Sequence, residues 1–491
     1  MDVVEKLVTN IFRGIFGTNM FAMKTGIPKS FYRLLTILFI SIFHIAAFAQ
    51  KQKAIYSGVP WFDENGEIVS AHGATLVKEA GRFYLFGEKH TDTSNAFAGF
   101  TCYSSADLYN WKFESLALPQ QPAGKLGPNR VGERPKVMKC PKTGEFIMYM
   151  HADTLGYKDQ VVGYATAKNI TGPYTFQGPV LFDGKPIRKW DMGTFQDSDG
   201  AGYILIHGGE IYKLSDDYKS VTAQLNKNMV SGFESPAMFK KDEIYFLLGS
   251  DLTSWEKNDN YYFTAPSING PWTRQGFFCP PGTLTWNSQT TFVLPITGSE
   301  NTTYLFMGDR WSFPKQASAA TYIWQPLTVS GTSLSIPDYK EAWQINLATG
   351  TVFSAKAGNK TIANTDKKIS YSGSWKQDTL SVKTADKKNA SFSFPFRGTQ
   401  IGWYGLAHPS GGYALVEIRN NKGKTVLSST VDMYCKFPDV TLKFLSPVLQ
   451  KDNYTLTVSV LEERPNWSDK RKSTYGSVGY DVSLDKIVVT D

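Results

Sequence analysis

Acidic residues recur at the start of short apolar runs in the middle of this chain. Glu133, Asp191 and Glu234 each open a run that has the pattern strand, turn, strand. Carboxylic acids that lie close together and partly buried repel one another, which raises the pKa of one of them and keeps it protonated at neutral pH. A protonated acid and a base that activates water are the groups that hydrolyse a glycosidic bond. Any one of these acids is more ordinarily a structural residue beside a wet channel, but three together favour a catalytic site.

The same pattern occurs five times along the chain. The two further copies begin at His72 and Gln289, and the five lead residues recur at intervals of roughly 40 to 60 residues. Units of this length bury their faces by stacking on one another. Five units of about four strands predict an all-β, five-bladed β-propeller over residues 50–345. Because the first strand of each blade lines the central channel, the five lead residues are expected to meet at one mouth of it.

Aromatic residues follow several of the lead strands and could stack on the face of a sugar ring. These residues are Tyr157, Trp190, Trp255, Trp286 and Trp311. Each of them alone is more often a core or rim residue. The chain has no G-x-S-x-G, H-E-x-x-H, C-x-x-C or Walker sequence, which argues against serine hydrolase, zinc protease, redox and nucleotide-dependent chemistry.

The composition is that of a globular protein with many short strands and turns. Hydrophobic residues make up 42% and aromatic residues 14% of the chain, with 42 Gly and 24 Pro. The net charge of +8 is spread through loops, so we interpret it as solvated surface and expect no nucleic-acid partner. We expect a monomer that binds a polysaccharide or oligosaccharide and needs no cofactor or catalytic metal, and we leave a structural calcium ion open.

The cysteines are too few and too scattered for a disulfide framework or a zinc site. We interpret them as buried thiols, with one disulfide left open: Cys102, Cys140, Cys279 and Cys435.

The N-terminal region has the pattern of a secretory signal. An apolar stretch over 34–49 follows Lys24, Lys29 and Arg33 and ends in small residues before Gln50. This stretch is shorter than the roughly 20 residues of a membrane span. We therefore expect a signal region over 1–49, cleavage at Gln50, and a periplasmic or extracellular protein without a membrane span.

The C-terminal part is predicted to be a second β domain. Residues 346–368 are polar and rich in Gly, Ala, Thr and Asn, which predicts a linker. Alternating strands over 369–491 predict a β-sandwich of the jelly-roll kind that is separable from the propeller. Its aromatic residues could bind glycan or equally fill the sandwich: Trp375, Trp403, Tyr404, His408 and Trp467.

The propeller region also resembles a known family. The series "AHGATL", "YLFGE", "GERPKV", "FQDSDGAGYIL", "ESPAMFKK", "GSDLTSW" and "NSQTTFVLP" is similar to glycoside hydrolase family 43 and, within it, to the exo-β-1,3-galactanase branch. The C-terminal strands resemble the carbohydrate-binding modules of secreted glycosidases. The resemblance implies an inverting, exo-acting enzyme on β-1,3-galactan, such as the backbone of arabinogalactan proteins. Alternatives are an α-L-arabinofuranosidase, β-xylosidase or β-galactosidase of the same family, or a glycan-binding propeller without catalysis.

The resemblance assigns roles to particular positions. It implies that Glu234 is the general acid, with Gln289 in the place of the base, either as an imidic tautomer or by orienting water. It gives Glu133 and Asp191 to the same centre, where they hold the terminal sugar. The expected substrate-binding residues are Glu88, His72, Tyr157, Thr253, Trp190 and Trp255.

Two positions depart from the family pattern. His72 stands where most of the family has an aspartate base, and a structural role is the more ordinary interpretation for it. Arg188, Lys189 and Trp190 replace the Ser-Arg pair expected before Asp191. Because Gln289 is not a carboxylate, we expect a gap for water between it and Glu234, and hence inversion.

Overall fold

The computed structural model describes residues 51–377, 380–469 and 472–491, and these residues form an almost entirely β-stranded structure. The all-β prediction is thereby confirmed. The predicted signal region over 1–49 lies outside the described residues. Within them, no helix has the length and apolar character needed to cross a bilayer.

Five sheets follow one another along the chain, and a lead residue stands in the first half of the inner strand of each sheet or directly before it. After β1 (Ile55–Tyr56), the first sheet contains β2 (His72–Glu79), β3 (Arg82–Glu88), β4 (Phe100–Ser105) and β5 (Lys112–Leu118). The second contains β6 (Arg130–Lys139), β7 (Phe146–Thr154), β8 (Val161–Ala167) and β9 (Thr175–Pro179). The third contains β10 (Leu181–Phe182), β11 (Lys185–Pro186), β12 (Met192–Gln196), β13 (Gly202–Ile206), β14 (Glu210–Leu214) and β15 (Val221–Asn226).

The last two sheets repeat the four-stranded form. The fourth contains β16 (Phe233–Lys241), β17 (Ile244–Asp251), β18 (Tyr261–Ala265) and β19 (Thr273–Phe277). The fifth contains β20 (Gln289–Thr297), β21 (Thr302–Arg310), β22 (Thr321–Ser330) and β23 (Ser333–Ser335). Short helices α1 (Leu284–Asn287) and α2 (Gln316–Ala319) and two 3₁₀ turns, Gly124–Leu126 and His207–Gly209, lie in the loops.

The first strands of the five sheets close a ring. Strand β2 lies against β6, β6 against β12, β12 against β16, β16 against β20, and β20 returns to β2. Each pair of neighbouring sheets also shares an apolar cluster. We call this assembly the five-sheet ring, and the five lead residues lie around its centre.

Burial on both faces explains the continuous apolar runs in the second strand of the sheets. In β17, Phe246 and Leu248 pack toward the fifth sheet, whereas Tyr245 and Leu247 pack toward the third. Successive side chains of a strand point to opposite faces, so a strand covered on both sides is apolar at every position. The all-apolar "IYFLL" therefore stabilises two sheet contacts at once.

A three-stranded sheet joins the two ends of the ring region. Strand β24 (Ala342–Asn346) pairs with β1 on one side and with β25 (Thr351–Ser354) on the other. The predicted linker over 346–368 is therefore not irregular, since it contains β25 and also β26 (Lys360–Ala363), which pairs with the last strand of the chain. Long-range pairing gives these polar residues a strand conformation that their composition does not indicate.

The C-terminal strands form two larger sheets over one apolar core. The strands after β26 are β27 (Ser370–Ser372), β28 (Lys376–Gln377), β29 (Lys383–Ala385), β30 (Ser391–Gly398), β31 (Gln400–Ala407), β32 (Tyr413–Asn420), β33 (Thr425–Asp432), β34 (Asp439–Leu445), β35 (Asp452–Val460), β36 (Asn466–Ser468), β37 (Thr474–Gly476), β38 (Val482–Leu484) and β39 (Lys486–Thr490). The sheets β26-β39-β31-β34 and β27-β30-β35-β32-β33 both contribute to this core. Trp403 is buried within it, and Trp467 is also buried, so packing rather than sugar binding accounts for these two aromatic residues.

The C-terminal sheets are joined to the five-sheet ring by buried contacts. Ser312 Oγ donates to Asp432 Oδ2 at 2.8 Å, and Tyr434 Oη donates to Glu256 Oε2 at 2.7 Å. An apolar cluster places Val59 against the C-terminal strands. The described residues from 51 onward belong to one compact unit, and the buried contacts between its two parts lead us to expect that they do not separate.

Removal of residues 369–491 is expected to destabilise the ring. The deletion would expose the apolar surface around Val59 and leave the Glu256 carboxylate without its tyrosine donor. Each buried polar group that loses its partner costs about 1–3 kcal/mol, so we expect insoluble protein or a thermal midpoint lower by about 10 °C or more. Thermal unfolding of the deletion variant beside the full chain measures this. A soluble fragment with the full-chain midpoint would show that the two parts are independent.

All four cysteines are described, and all four are buried and free. This confirms their interpretation as buried thiols and excludes the disulfide that the sequence left open.

Candidate active site

The lead residues are aimed into the centre of the ring by local backbone irregularities. A β-bulge follows the lead residue in four of the five inner strands. The residues at three of these bulges have left-handed backbones, with φ of 64° at Gly73, 52° at Arg134 and 57° at Ser235. In the third sheet the lead residue itself, Asp191, has φ of 46°. A left-handed conformation costs a residue with a side chain about 1–3 kcal/mol and marks functional sites when the surroundings enforce it.

Glu234 is buried and surrounded so that it keeps its proton. It is 9% exposed, and burial together with the nearby Asp191 carboxylate raises its pKa well above the usual value for a glutamate. Arg134 and the hydrogen bond from Gln289 oppose that shift without cancelling it. Glu234 is therefore suited to donate a proton at neutral pH.

The carboxylate of Asp191 accepts hydrogen bonds from residues of two other sheets. Its Oδ1 accepts from Arg134 Nε at 2.6 Å, and its Oδ2 accepts from the backbone N–H of Ser235 at 2.9 Å and the hydroxyl of Ser235 at 3.2 Å. Both oxygens are thus occupied. The charge of Asp191 acts on Glu234 while its own oxygens stay fixed.

Arg134 links residues from several sheets of the site, and it was not identified from the sequence. Besides Asp191, its Nη2 donates to Ser235 Oγ at 2.6 Å and to Gln289 Oε1 at 2.8 Å, and its backbone N–H donates to Glu88 Oε1 at 2.8 Å. The surrounding carboxylates, Asp191 first, outweigh burial and raise the pKa of the guanidinium. Its place directly after a lead glutamate, in "GERPKV", is the signal that could have identified it.

Glu133 accepts three hydrogen bonds from side chains. Asn95 Nδ2 and Tyr157 Oη donate to Oε1 at 2.8 and 2.6 Å, and Oε2 lies 2.9 Å from His151 Nδ1. Burial alone would raise the pKa of Glu133, but His151, Tyr157 and Asn95 together lower it to about 2. Tyr157, which was expected to bind substrate, thus lies beside this carboxylate, and its contact with a sugar stays a prediction.

Glu88 and His72 belong to the first sheet and line one side of the site. Glu88 is buried, and its Oε2 lies 3.1 Å from His90 Nε2. A Cβ atom at Gly73 would lie 2.2 Å from Glu88 Oε1, so this bulge requires glycine. His72 is 2% exposed and stacks on Tyr322 with ring centroids 4.2 Å apart, and burial lowers its pKa well below the usual value. The geometry favours the structural interpretation of His72 over sugar binding.

Two buried charged residues, Lys136 and Asp309, bind the backbone at the floor of the site. Lys136 Nζ donates to the carbonyl oxygens of Gly73 and Ala74 at 2.7 and 2.6 Å, while Asp309 Oδ2 accepts from the Gly73 N–H at 3.1 Å. Burial and the neighbouring Arg134 lower the pKa of Lys136, and burial raises that of Asp309. Neither residue was singled out from the sequence, because both look like ordinary strand-end charges.

Gln289 does not lie across a gap from Glu234. Its Nε2 donates to Glu234 Oε1 and to Ser250 Oγ, both at 3.0 Å, and its Oε1 accepts from Trp311 Nε1 and Arg134 Nη2, both at 2.8 Å. The expected water-sized separation is therefore wrong for this conformation. Two donors that point at the amide oxygen also favour the amide over an imidic tautomer, which would carry a proton there.

The remaining predicted residues lie in loops and are not bonded to the carboxylates. Thr253 closes a turn, with Oγ1 donating to the Glu256 carbonyl at 2.6 Å. Trp255 stacks on Phe313 at 4.3 Å, and Trp190 stacks on His207 at 3.7 Å. Trp286 packs into the core between the fourth and fifth sheets, whereas Trp311 is buried and bonded to Gln289.

The structure thus brings residues from all five sheets into one hydrogen-bonded network. At the centre of the ring it contains an acid with a raised pKa, Glu234, further carboxylates held by hydrogen bonds, and the Arg134 guanidinium. In residues 51–377, 380–469 and 472–491, no three His, Cys, Asp or Glu side chains are placed to hold a metal ion together. A buried proton donor beside oriented hydrogen-bond acceptors can bind a polyol and protonate a glycosidic oxygen.

A site of this kind suits a glycoside hydrolase. Residues 68–276 match the sequence model of glycosyl hydrolases family 43, and the chain carries a domain of this family.

Solved structures similar to this chain include exo-β-1,3-galactanases. A putative exo-β-1,3-galactanase from Bifidobacterium bifidum s17 is 35% identical, with a TM-score of 0.54 over 57% of this chain and 95% of that one. The exo-β-1,3-galactanase from Phanerochaete chrysosporium, solved with galactose, is 27% identical, with a TM-score of 0.62 over 88% of this chain and 99% of that one. An extracellular exo-α-(1→5)-L-arabinofuranosidase from Cellvibrio japonicus is 21% identical over 42% of this chain and 66% of that relative's length.

Proposed function

We propose that this protein is an exported, exo-acting and inverting glycoside hydrolase that releases galactose from β-1,3-galactan. Glu234 is the general acid, and Glu133, Asp191 and Glu88 orient the terminal sugar. The observation that carries the proposal is the buried Glu234, whose pKa is raised well above the usual value beside the fixed Asp191 anion. The similarity to exo-β-1,3-galactanases supports the choice of galactan.

The architecture that goes with this function is a five-bladed β-propeller followed by a β-sandwich. The five-sheet ring, with its shared clusters between neighbouring sheets, supports the propeller. The two C-terminal sheets over one core support the sandwich. The apolar stretch over 34–49 supports export.

Gln289 is proposed to orient the reacting water rather than to take its proton as an imidic acid. Its amide oxygen is held by Arg134 and Trp311, and its amide nitrogen contacts the acid itself. On binding, the terminal sugar would insert between Glu234 and its neighbours.

A panel of polysaccharides tests the substrate. We expect galactose as the first product from β-1,3-galactan and from arabinogalactan, with no release from arabinan or xylan, measured by chromatography of time-resolved digests. Arabinose from arabinan would favour the arabinofuranosidase alternative, for which the relative from Cellvibrio japonicus is the specific observation. Binding to galactan without any product would identify a non-catalytic glycan-binding protein.

Hydrolysis is expected to invert the anomeric configuration. A retaining enzyme needs a second carboxylate beside the acid as nucleophile, but the lead residue in contact with Glu234 is the neutral amide Gln289, and Glu133 and Asp191 are assigned to holding the sugar. Water is then the attacking group, and a β-galactoside should release α-galactose first. Proton NMR during the first turnovers measures the anomer, and initial β-galactose would contradict this mechanism.

A further inference from the structure

Glu133 has one acceptor site left after its contacts with the protein. A carboxylate offers about four lone-pair positions, and three are used by Asn95, Tyr157 and His151. The Glu133 side chain is 16% exposed. The remaining position can accept one hydrogen bond from a sugar hydroxyl.

His151 lies between two carboxylates in the second sheet. It is the direct cross-strand partner of Glu133 in the β6–β7 register, and its side chain is 1% exposed. Nδ1 is 2.9 Å from Glu133 Oε2, and Nε2 is 3.3 Å from Asp153 Oδ2. A neutral imidazole has a proton on only one nitrogen, so only the imidazolium can donate to both carboxylates.

Asp153 also fixes the loop that carries Tyr157. Its Oδ1 accepts from the backbone N–H groups of Thr154 and Asp159, both at 2.7 Å. These bonds hold both ends of the loop whose Tyr157 hydroxyl donates to Glu133. Asp153 thereby organises two of the three donors to Glu133.

We propose that Asp153 and His151 are positioning residues that form a hydrogen-bonded relay to Glu133, holding it as an oriented anion with one free acceptor site for a hydroxyl of the terminal sugar. The identity of that sugar rests on the proposed function, whereas the relay itself is a property of the unliganded site. The relay makes Glu133 an acceptor that favours sugars with a hydroxyl group facing its free acceptor site. Proton donation is left to Glu234.

The charged groups that face His151 determine the pH range in which its imidazole is protonated. They belong to Glu133 on β6, Asp153 on its own strand and Asp191 in the third sheet, and the Tyr157 ring stacks on it at 6.1 Å. Burial alone would lower the pKa of His151, but the bonds to Asp153 and Glu133 raise it to about 9. The pKa of Glu133 is about 2, so the pair is charged between these values, and Glu133 loses its cationic donor as the pH rises through about 9.

The first experiment observes His151 without any substrate. Ring ¹⁵N signals of the full-length, isotope-labelled protein are followed against pH, and His151→Asn assigns the signal. We expect His151 to remain an imidazolium through neutral pH and to titrate near 9, with a lower pKa in Glu133→Gln and in Asp153→Asn because each variant removes one anion. Titration at or below 6.5, the ordinary value for histidine, would overturn the relay.

The second experiment measures its effect on sugar binding. Glu234→Gln serves as the parent because it removes the titration of the acid and slows turnover by about 10²-fold or more. The probe is β-1,3-galactobiose in isothermal titration calorimetry. We expect affinity to fall as the pH rises through about 9. Adding His151→Asn, which keeps an N–H donor but no charge, should weaken binding about tenfold at pH 7 and abolish the alkaline decrease. Affinity in the double variant equal to that of the parent at every pH would overturn the relay.

A matched control and the two readouts separate the relay from the proposed function. Lys219→Gln removes another cation that pairs with a carboxylate, Glu145, where both side chains are about one-third exposed, and it should leave binding and its pH dependence unchanged. If His151 titrates near 9 while galactobiose neither binds nor is cleaved, the relay stands and the galactan assignment fails. If galactobiose is cleaved while His151 titrates normally, the assignment stands and the relay fails.

Discussion

Glu234→Gln is expected to lose about 10²-fold or more of the hydrolytic rate on β-1,3-galactan while remaining folded. The substitution keeps the volume and one hydrogen-bond donor but removes the proton that the leaving oxygen requires. Because burial and Asp191 raise the pKa of Glu234, its ionised form destabilises the fold increasingly as the pH rises through that value. Gln cannot ionise, so above neutral pH the variant should unfold at the same temperature as the wild type or at a higher one.

The control for this variant is Glu243→Gln. Glu243 lies in the turn of the same sheet, and its side chain is 89% exposed. It should retain wild-type turnover in the same chromatographic assay. Wild-type turnover by Glu234→Gln would mean that another group supplies the proton.

Arg134→Met is expected to lose both activity and stability. The guanidinium neutralises Asp191 and binds Gln289 and Ser235 in a buried site, so its removal leaves an uncompensated buried carboxylate. Breaking a buried pair in this way costs about 3–5 kcal/mol. We expect kcat/KM to fall by about 10²-fold or more, because Glu234 and Gln289 lose their fixed orientation, and denaturant unfolding measures the stability.

Two further variants make the Arg134 result specific. Arg130→Met removes another arginine from the same strand, where it binds Asp159 at 3.0 Å nearer the surface, and it should cost much less stability. The double variant Arg134→Met with Asp191→Asn removes both charges and should recover part of the stability without recovering activity. A single Arg134→Met variant as stable as the wild type would contradict the role given to this residue.

The sequence predicted the lead residues because their positions follow from a repeat. Glu133, Asp191 and Glu234 each stand at the start of an inner strand, and a pattern of strand, turn and strand is enough to find that place. The partners of these acids were missed for a physical reason. His151 pairs with Glu133 only through the β6–β7 register, and nothing in a run such as "YMHAD" indicates which carboxylate its histidine contacts.

Other elements depended on contacts between distant parts of the chain. The region over 346–368 is polar, and composition predicted a linker, yet β25 extends a sheet that begins at β1 and β26 pairs with the last strand. The same holds for Gln289, which was placed correctly at the head of the fifth sheet. Its direct contact with Glu234 depends on the β-bulges and on the hydrogen bond from Arg134. The spacing of a sequence repeat predicts neither of these.

The segment 311–315 connects the active centre to the C-terminal sheets within five residues. Trp311 binds Gln289, Ser312 binds Asp432, and Lys315 pairs with Glu463. Recombination that exchanged the C-terminal sheets for those of a relative would change the residues that bind this segment, and would thereby affect Gln289, which contacts the acid Glu234. The five-sheet ring and the C-terminal sheets therefore have to be engineered together. In a functional chimera, the segment 311–315 and the C-terminal sheets that bind it should come from the same parent.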